Sequence, residues 1–132
     1  MRALGLAAIL SVVMIGAVLS APTENIKIAS TFWDLVSAGD VAGAMAYVDP
    51  QAEFRNGGDI YSGPVEIKKL IEGYATAGYQ FHMTHFKDDG AGRIAYWYEV
   101  YDKAGTTAVS YGDDGLTIVR AGHIVSCCQV GE

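Results

Sequence analysis

Helical and strand signals lie in separate parts of this chain, and that segregation limits the architectures open to it. Residues 25–78 hold two short helical patterns meeting at Ala38-Gly39-Asp40, a brief strand at Glu53-Phe54-Arg55-Asn56, and a third helix opening at Pro64. Residues 79–130 read as strands joined by glycine turns. Helices gathered at one end and strands at the other predict an α+β fold, with helices covering one face of an antiparallel sheet. Such a layer closes into a cone with a pocket at its centre.

The boundaries follow from local chemistry. Thr23 is placed to cap a helix beginning near Glu24, and Ile26, Ala29, Phe32, Trp33 and Val36 form its apolar stripe. Gly39 ends that helix, because glycine adopts the left-handed conformation without a Cβ clash. Asp40 caps the second helix, with Val41, Ala44, Met45 and Val48 turned inward, and Asp49-Pro50 stops it. Phe54 and Asn56 share one face of the next strand. The run Asn56-Gly57-Gly58-Asp59 is a turn signal, and Pro64 suits the first turn of helix three. That helix is expected to bury Val65, Ile67, Leu70, Ile71 and Tyr74, and Gly78 ends it.

Four strands follow, at about 79–87, 93–102, 106–112 and 115–130, the last bent or broken at Ala121-Gly122. The turns are Asp88-Asp89-Gly90, Lys103-Ala104-Gly105 and Asp113-Asp114-Gly115. The second of these strands is apolar on both faces. Ile94, Tyr96, Tyr98 and Val100 alternate with Ala95, Trp97, Glu99 and Tyr101. A sheet with one face in water should alternate apolar with polar. Helices can cover one face, so a homodimer through the sheet is expected to cover the other.

One domain is expected from 132 residues, spanning 21–132. Residues 1–20 carry Arg2 and then an uncharged run to Leu19, followed by Ser20, Ala21 and Pro22, which reads as a secretion signal cleaved after Ser20. An uncleaved anchor is the rival, since the run approaches the about 20 residues a bilayer requires. Removal of Arg2 takes the formal charge from −6 to −7, and no stretch concentrates Lys and Arg. Nucleic acid is therefore not an expected partner, nor is an anionic membrane surface. Cys127 and Cys128 are adjacent, and neighbours on a strand point to opposite faces. A bond between them would demand a strained ring, so a disulfide framework is excluded. Buried thiols acting as small apolar side chains, or one intermolecular bridge, are the readings left.

Taken together, Phe32-Trp33-Asp34-Leu35-Val36-Ser37-Ala38-Gly39-Asp40, Asp49-Pro50-Gln51-Ala52-Glu53-Phe54 and Tyr61-Ser62-Gly63-Pro64 resemble the NTF2-like superfamily. More narrowly, they resemble its SnoaL-like and ketosteroid-isomerase-like cones. The resemblance covers roughly 24–130 and implies three N-terminal helices on a curved antiparallel sheet. It does not imply one activity, because the fold hosts isomerases, cyclases, dehydratases, hydrolases and binding modules. In ketosteroid isomerases an aspartate base ends the first strand. An ungapped count from Gly39-Asp40 puts Asn56 there, and an amide cannot shuttle a proton. The family's tyrosine donor in helix one falls on Phe32. A third family position, a carboxylic acid kept protonated by its apolar site, falls on Asp114. The same residues also read as an ordinary Asp-Asp-Gly turn.

From pattern alone, Glu99 is a second acid/base candidate. Set between Trp97 and Tyr101 on the face assigned to the helices, its carboxyl pKa would be raised by burial. With the faces reversed it becomes a bridging residue at a dimer interface. Asp114, Glu99 and Asn56 are thus the catalytic candidates, and Phe32, Phe54, Trp97, Tyr101 and His82 the substrate-binding ones. Three histidines without helical i,i+4 spacing give no zinc pattern, and no cofactor or metal is expected. Two readings stand side by side: a cofactor-free lyase, isomerase or cyclase acting on a small apolar polycyclic or polyketide-like compound, and a secreted non-catalytic binder of such a molecule. A third is a dimerising module whose pocket its own side chains fill.

Overall fold

The computed structural model describes residues 21–129. The proposed signal segment 1–20 lies outside them. Helix α1 (Ala21–Ser37) begins before Thr23, which lies within the helix and not ahead of it. Its stripe buries Ala29, Phe32, Trp33 and Val36, and Gly39 turns the chain at φ 79°. Asp40 then caps α2 (Val41–Met45), accepting from the Gly43 N–H at 2.9 Å. This helix is shorter than expected, because β1 (Val48–Asn56) already includes Asp49 and Pro50. Proline is tolerated there because β1 leaves its ladder between Val48 and Glu53, where no N–H is required.

The β1 strand turns through Gly57-Gly58 into β2 (Asp59–Ser62), and α3 (Gly63–Ala77) follows. Glu66 accepts from the Ser62 N–H at 2.8 Å, closing the first turn of α3, and Gly78 ends it in the left-handed region. Ile67 and Ile71 are fully buried, whereas Val65 is 71% exposed, contrary to expectation. Two residues ahead of Ile67, it lies off the stripe.

Strands β3 (Gln80–Asp88), β4 (Arg93–Tyr101), β5 (Ala108–Arg120) and β6 (His123–Gln129) complete a curved six-stranded sheet in the order β2-β1-β6-β5-β4-β3. The sheet is mixed, not wholly antiparallel. After α3 the chain crosses to the far edge and returns by hairpins, so β6 arrives parallel to β1. Helices α1 and α3 pack on the concave face. Among the described residues no helix is long and apolar enough to cross a membrane.

Three expectations about the strands are corrected. Asp113-Asp114-Gly115 is no turn, since β5 runs through it. Tyr98 pairs with Gly112 and Tyr96 with Gly115, so three steps on β5 face two on β4, as in a β-bulge. The glycines serve close approach. A Cβ on Gly115 would strike the Tyr96 ring, and one on Gly112 would come within 2.9 Å of Tyr98 Oη. The hairpin turn lies instead at Ala121-Gly122, with φ 51° and 82°. Secondly, Ile94, Tyr96 and Val100 are buried towards the helices, and Trp97, Glu99 and Tyr101 occupy the outer face. Thirdly, Cys127 and Cys128 are disulfide-bonded to each other. The peptide between them is cis, with Cα atoms 3.0 Å apart, so the opposite-face rule for a trans strand does not apply.

Candidate functional site

A cavity of about 240 Å³ lies between the helices and the concave face of the sheet. Trp33 of α1 and Tyr74 of α3 form one side, and Phe81, Met83, Tyr96, Tyr98 and Val100 of β3 and β4 form the floor. Tyr79, Arg55, Asn56, Val109, Ser110 and Cys128 complete the lining. The end of α1 is pinned to β3, since Ser37 Oγ accepts from the Phe81 N–H at 2.8 Å and the Ser37 carbonyl from Gln80 Nε2 at 3.0 Å. That anchorage holds the Trp33 ring 4.6 Å from Phe81, centroid to centroid.

The lining mixes aromatic and aliphatic side chains with polar groups, among them Arg55, Asn56, Ser110 and the tyrosine hydroxyls. Asn56 Nδ2 donates to Tyr74 Oη at 2.8 Å, leaving the Tyr74 proton for another acceptor. Burial, with the nearby Tyr61 and Tyr79, pushes the Tyr74 pKa well above its ordinary value. Tyr96 Oη lies 3.0 Å from Thr117 Oγ1. Burial pushes Tyr96 up to about 12, against the pull of Thr117 and Trp33 and with help from Tyr98 and the Asp114 charge. Both hydroxyls therefore stay protonated at neutral pH. The Trp33 indole N–H comes near the Tyr96 hydroxyl without hydrogen-bond geometry, and is a buried donor with no hydrogen-bond partner. Unpaired buried donors are rare in folded proteins and ask for an explanation, a missing acceptor among them.

The candidates named from sequence divide into three groups. Asn56 lines the cavity. Asp114 sits on the bulge, where its Oδ1 and Tyr98 Oη both approach the position of a Gly112 Cβ, at 2.8 and 2.9 Å. The carboxyl group is thus a neighbour of a cavity-lining hydroxyl. Phe32 and Phe54 are fully buried, their rings 5.8 Å apart, and belong to the core and not to the lining. Trp97, Glu99, Tyr101 and His82 lie on the outer face, where a ligand in the cavity does not touch them.

The chemistry of Glu99 also runs opposite to expectation. Its carboxylate accepts from Trp97 Nε1 and from Tyr101 Oη, each at 2.8 Å. The Trp97 and Tyr101 hydrogen bonds, then the His82 charge, hold its pKa below the usual carboxylate value despite some desolvation. It is an ionised acceptor and cannot serve as a neutral-pH proton donor. Sequence reasoning passed over Trp33, Tyr74, Tyr96 and Tyr98 as site residues. The signal was present: Tyr96 and Tyr98 share parity with Ile94 and Val100, the more aliphatic face of β4. Among the described residues no three His, Cys, Asp or Glu side chains converge as metal ligands.

No family model matches the chain, and no curated protein matches it in sequence. Solved structures do. An NTF2-like protein of unknown function from Mesorhizobium loti is 19% identical, with 80% of this chain and 88% of that one covered at a TM-score of 0.63. The epoxide hydrolase/cyclase-like enzyme SalBIII of salinomycin pyran ring formation is 16% identical, covering 79% and 87% at 0.65. A candidate polyketide cyclase from Sinorhizobium meliloti is 18% identical, covering 76% and 90% at 0.63. At such identities the likeness is one of fold.

Proposed function

Since the chain has the NTF2-like fold, we propose that its concave cavity binds a small apolar ring compound carrying an oxygen acceptor, and that Tyr98 and Asp114 together move a proton on that compound. The observation that carries the reading is an aromatic-walled hollow whose lining includes several hydrogen-bond donors, Arg55, Asn56, Tyr74, Tyr98 and the unpaired Trp33 N–H among them. Its 240 Å³ exceeds the roughly 150 Å³ that admits benzene. It falls short of the about 300–1,000 Å³ of drug-sized sites. One ring or two fit it, and its own side chains do not fill it. In this reading Tyr98 donates its hydrogen bond to the ligand oxygen, and the Asp114 carboxylate beside it is the base that takes up a proton. That is the work of a cofactor-free isomerase, lyase or cyclase.

The second reading, a non-catalytic binder, is favoured by a lining that itself contains no carboxylate. Both readings need the cavity. Titration with 2-naphthol, followed by its fluorescence, should give saturable binding that Met83→Trp abolishes by filling the floor. Unaltered binding in that variant contradicts both.

Export with removal of residues 1–20 belongs to the same proposal, and would put the cysteine pair in an oxidising compartment. So does a homodimer through the outer face. Trp97, Tyr101 and Tyr111 (68% exposed) lie there beside Glu99 and Asp113 and beside His82 and Lys87. Acids and bases on one face can pair with themselves across a two-fold axis. Tyr111→Asp is expected to turn a wild-type dimer into a monomer in sedimentation, and a monomeric wild type would refute the interface.

A further inference from the structure

The two sulfurs of the Cys127–Cys128 disulfide are unequally placed. Cys127 is 2% exposed and packed in the core, whereas Cys128 is half-buried and borders the cavity. On the core side, Thr117 Oγ1 donates to Cys127 Sγ at 3.6 Å. Tyr96 Oη lies 3.0 Å from Thr117 Oγ1 and 4.0 Å from the same sulfur. Cys128 therefore borders the hollow, and the Cys127 sulfur is backed by buried hydroxyl donors.

We propose that the cavity is a site of thiol capture, in which a small apolar thiol attacks Cys128 Sγ and Cys127 departs as a thiolate held by the Thr117 hydroxyl. The rate of such an exchange depends on which sulfur the thiolate reaches and on how well the leaving sulfur carries charge. Both factors select the same direction here. The bond between the two cysteine sulfurs breaks as a bond forms between the incoming sulfur and Cys128. Its electron pair stays on Cys127, and the proton lost by the incoming thiol ends on Cys127 or in solvent. One disulfide replaces another, so no outside oxidant enters. Thr117, with Tyr96 behind it, supplies the charge-assisted hydrogen bond to the new thiolate. The fully buried Thr117 hydroxyl thus links the Tyr96 hydroxyl to the Cys127 sulfur. The inference stands whether or not the cavity also catalyses proton transfer.

The test uses the oxidised full chain with benzyl mercaptan, an apolar one-ring thiol, and glutathione, a charged tripeptide. Reactions are acid-quenched and the adduct is located by peptide mass mapping. A benzyl adduct on Cys128, formed faster than the glutathione adduct, is expected. Thr117→Val should slow it about tenfold, the value of one lost hydrogen bond to a charged sulfur. Two further variants guard against a misfolded Thr117→Val. In Cys127→Ser the remaining Cys128 should react with iodoacetamide in the folded protein. In Cys128→Ser the remaining Cys127 should react only in denaturant. An adduct on Cys127, equal rates for the two thiols, or reaction of the wild type only after unfolding would overturn the proposal.

Discussion

Asp114→Asn is expected to lower kcat by about 10²–10⁴-fold for any ring compound that the wild type turns over, the usual contribution of a positioned acid or base. Affinity for 2-naphthol should stay within a few-fold of wild type. Asparagine keeps the shape beside Tyr98 Oη and can still hydrogen-bond, but it cannot exchange a proton. The expected split, kcat lost and binding kept, separates chemistry from scaffolding. Glu99→Gln should leave both quantities unchanged, because that carboxylate lies across the sheet, engaged by Trp97 and Tyr101. Equal turnover in wild type and Asp114→Asn would remove the proton-transfer reading. Ring compounds that wild type binds and leaves unaltered would select the binder.

Phe54→Ala should cost about 3–5 kcal/mol of stability and lower Tm by roughly 15 °C or more. Naphthol affinity, measured well below the transition, should change little. Phe54 is fully buried, packs edge-on against Phe32, and pairs in register with Cys127 and Tyr61. Truncation leaves a void that the two strands beside it cannot collapse to fill. The measurement is a thermal or urea melt beside a binding titration. A small stability loss with abolished binding would place Phe54 in the ligand wall.

These two variants also mark where the sequence was readable. Element types and order were legible because glycine, proline and acidic caps act locally: Gly39, Asp40 and Gly78 do in the structure what their chemistry dictates. The side of the sheet facing inward was not settled by β4 alone. Both faces of that strand are aromatic, and only the packing of Ile94 and Val100 against the helices decides between them. Asp113-Asp114-Gly115 carries a turn signature, yet Gly115 is there to let the Tyr96 ring lie against β5. That is a contact between strands, which no local rule sees. Phe32 and Phe54 were correctly read as inward-facing, but inward residues divide between the core and the hollow only once the layers are stacked. The cysteine pair was misread because the alternation rule assumes trans peptides throughout.

The central claim is that the hollow bordered by Trp33, Asn56, Tyr74 and Tyr98 is where this protein meets its ligand. A crystal structure of the protein with 2-naphthol bound tests it most directly. The account predicts electron density for the two rings between Trp33 and Met83, with the naphthol oxygen within hydrogen-bond distance of Trp33 Nε1 or Tyr98 Oη. Density on the outer face against Trp97 and Tyr111, with the hollow unchanged, would contradict it.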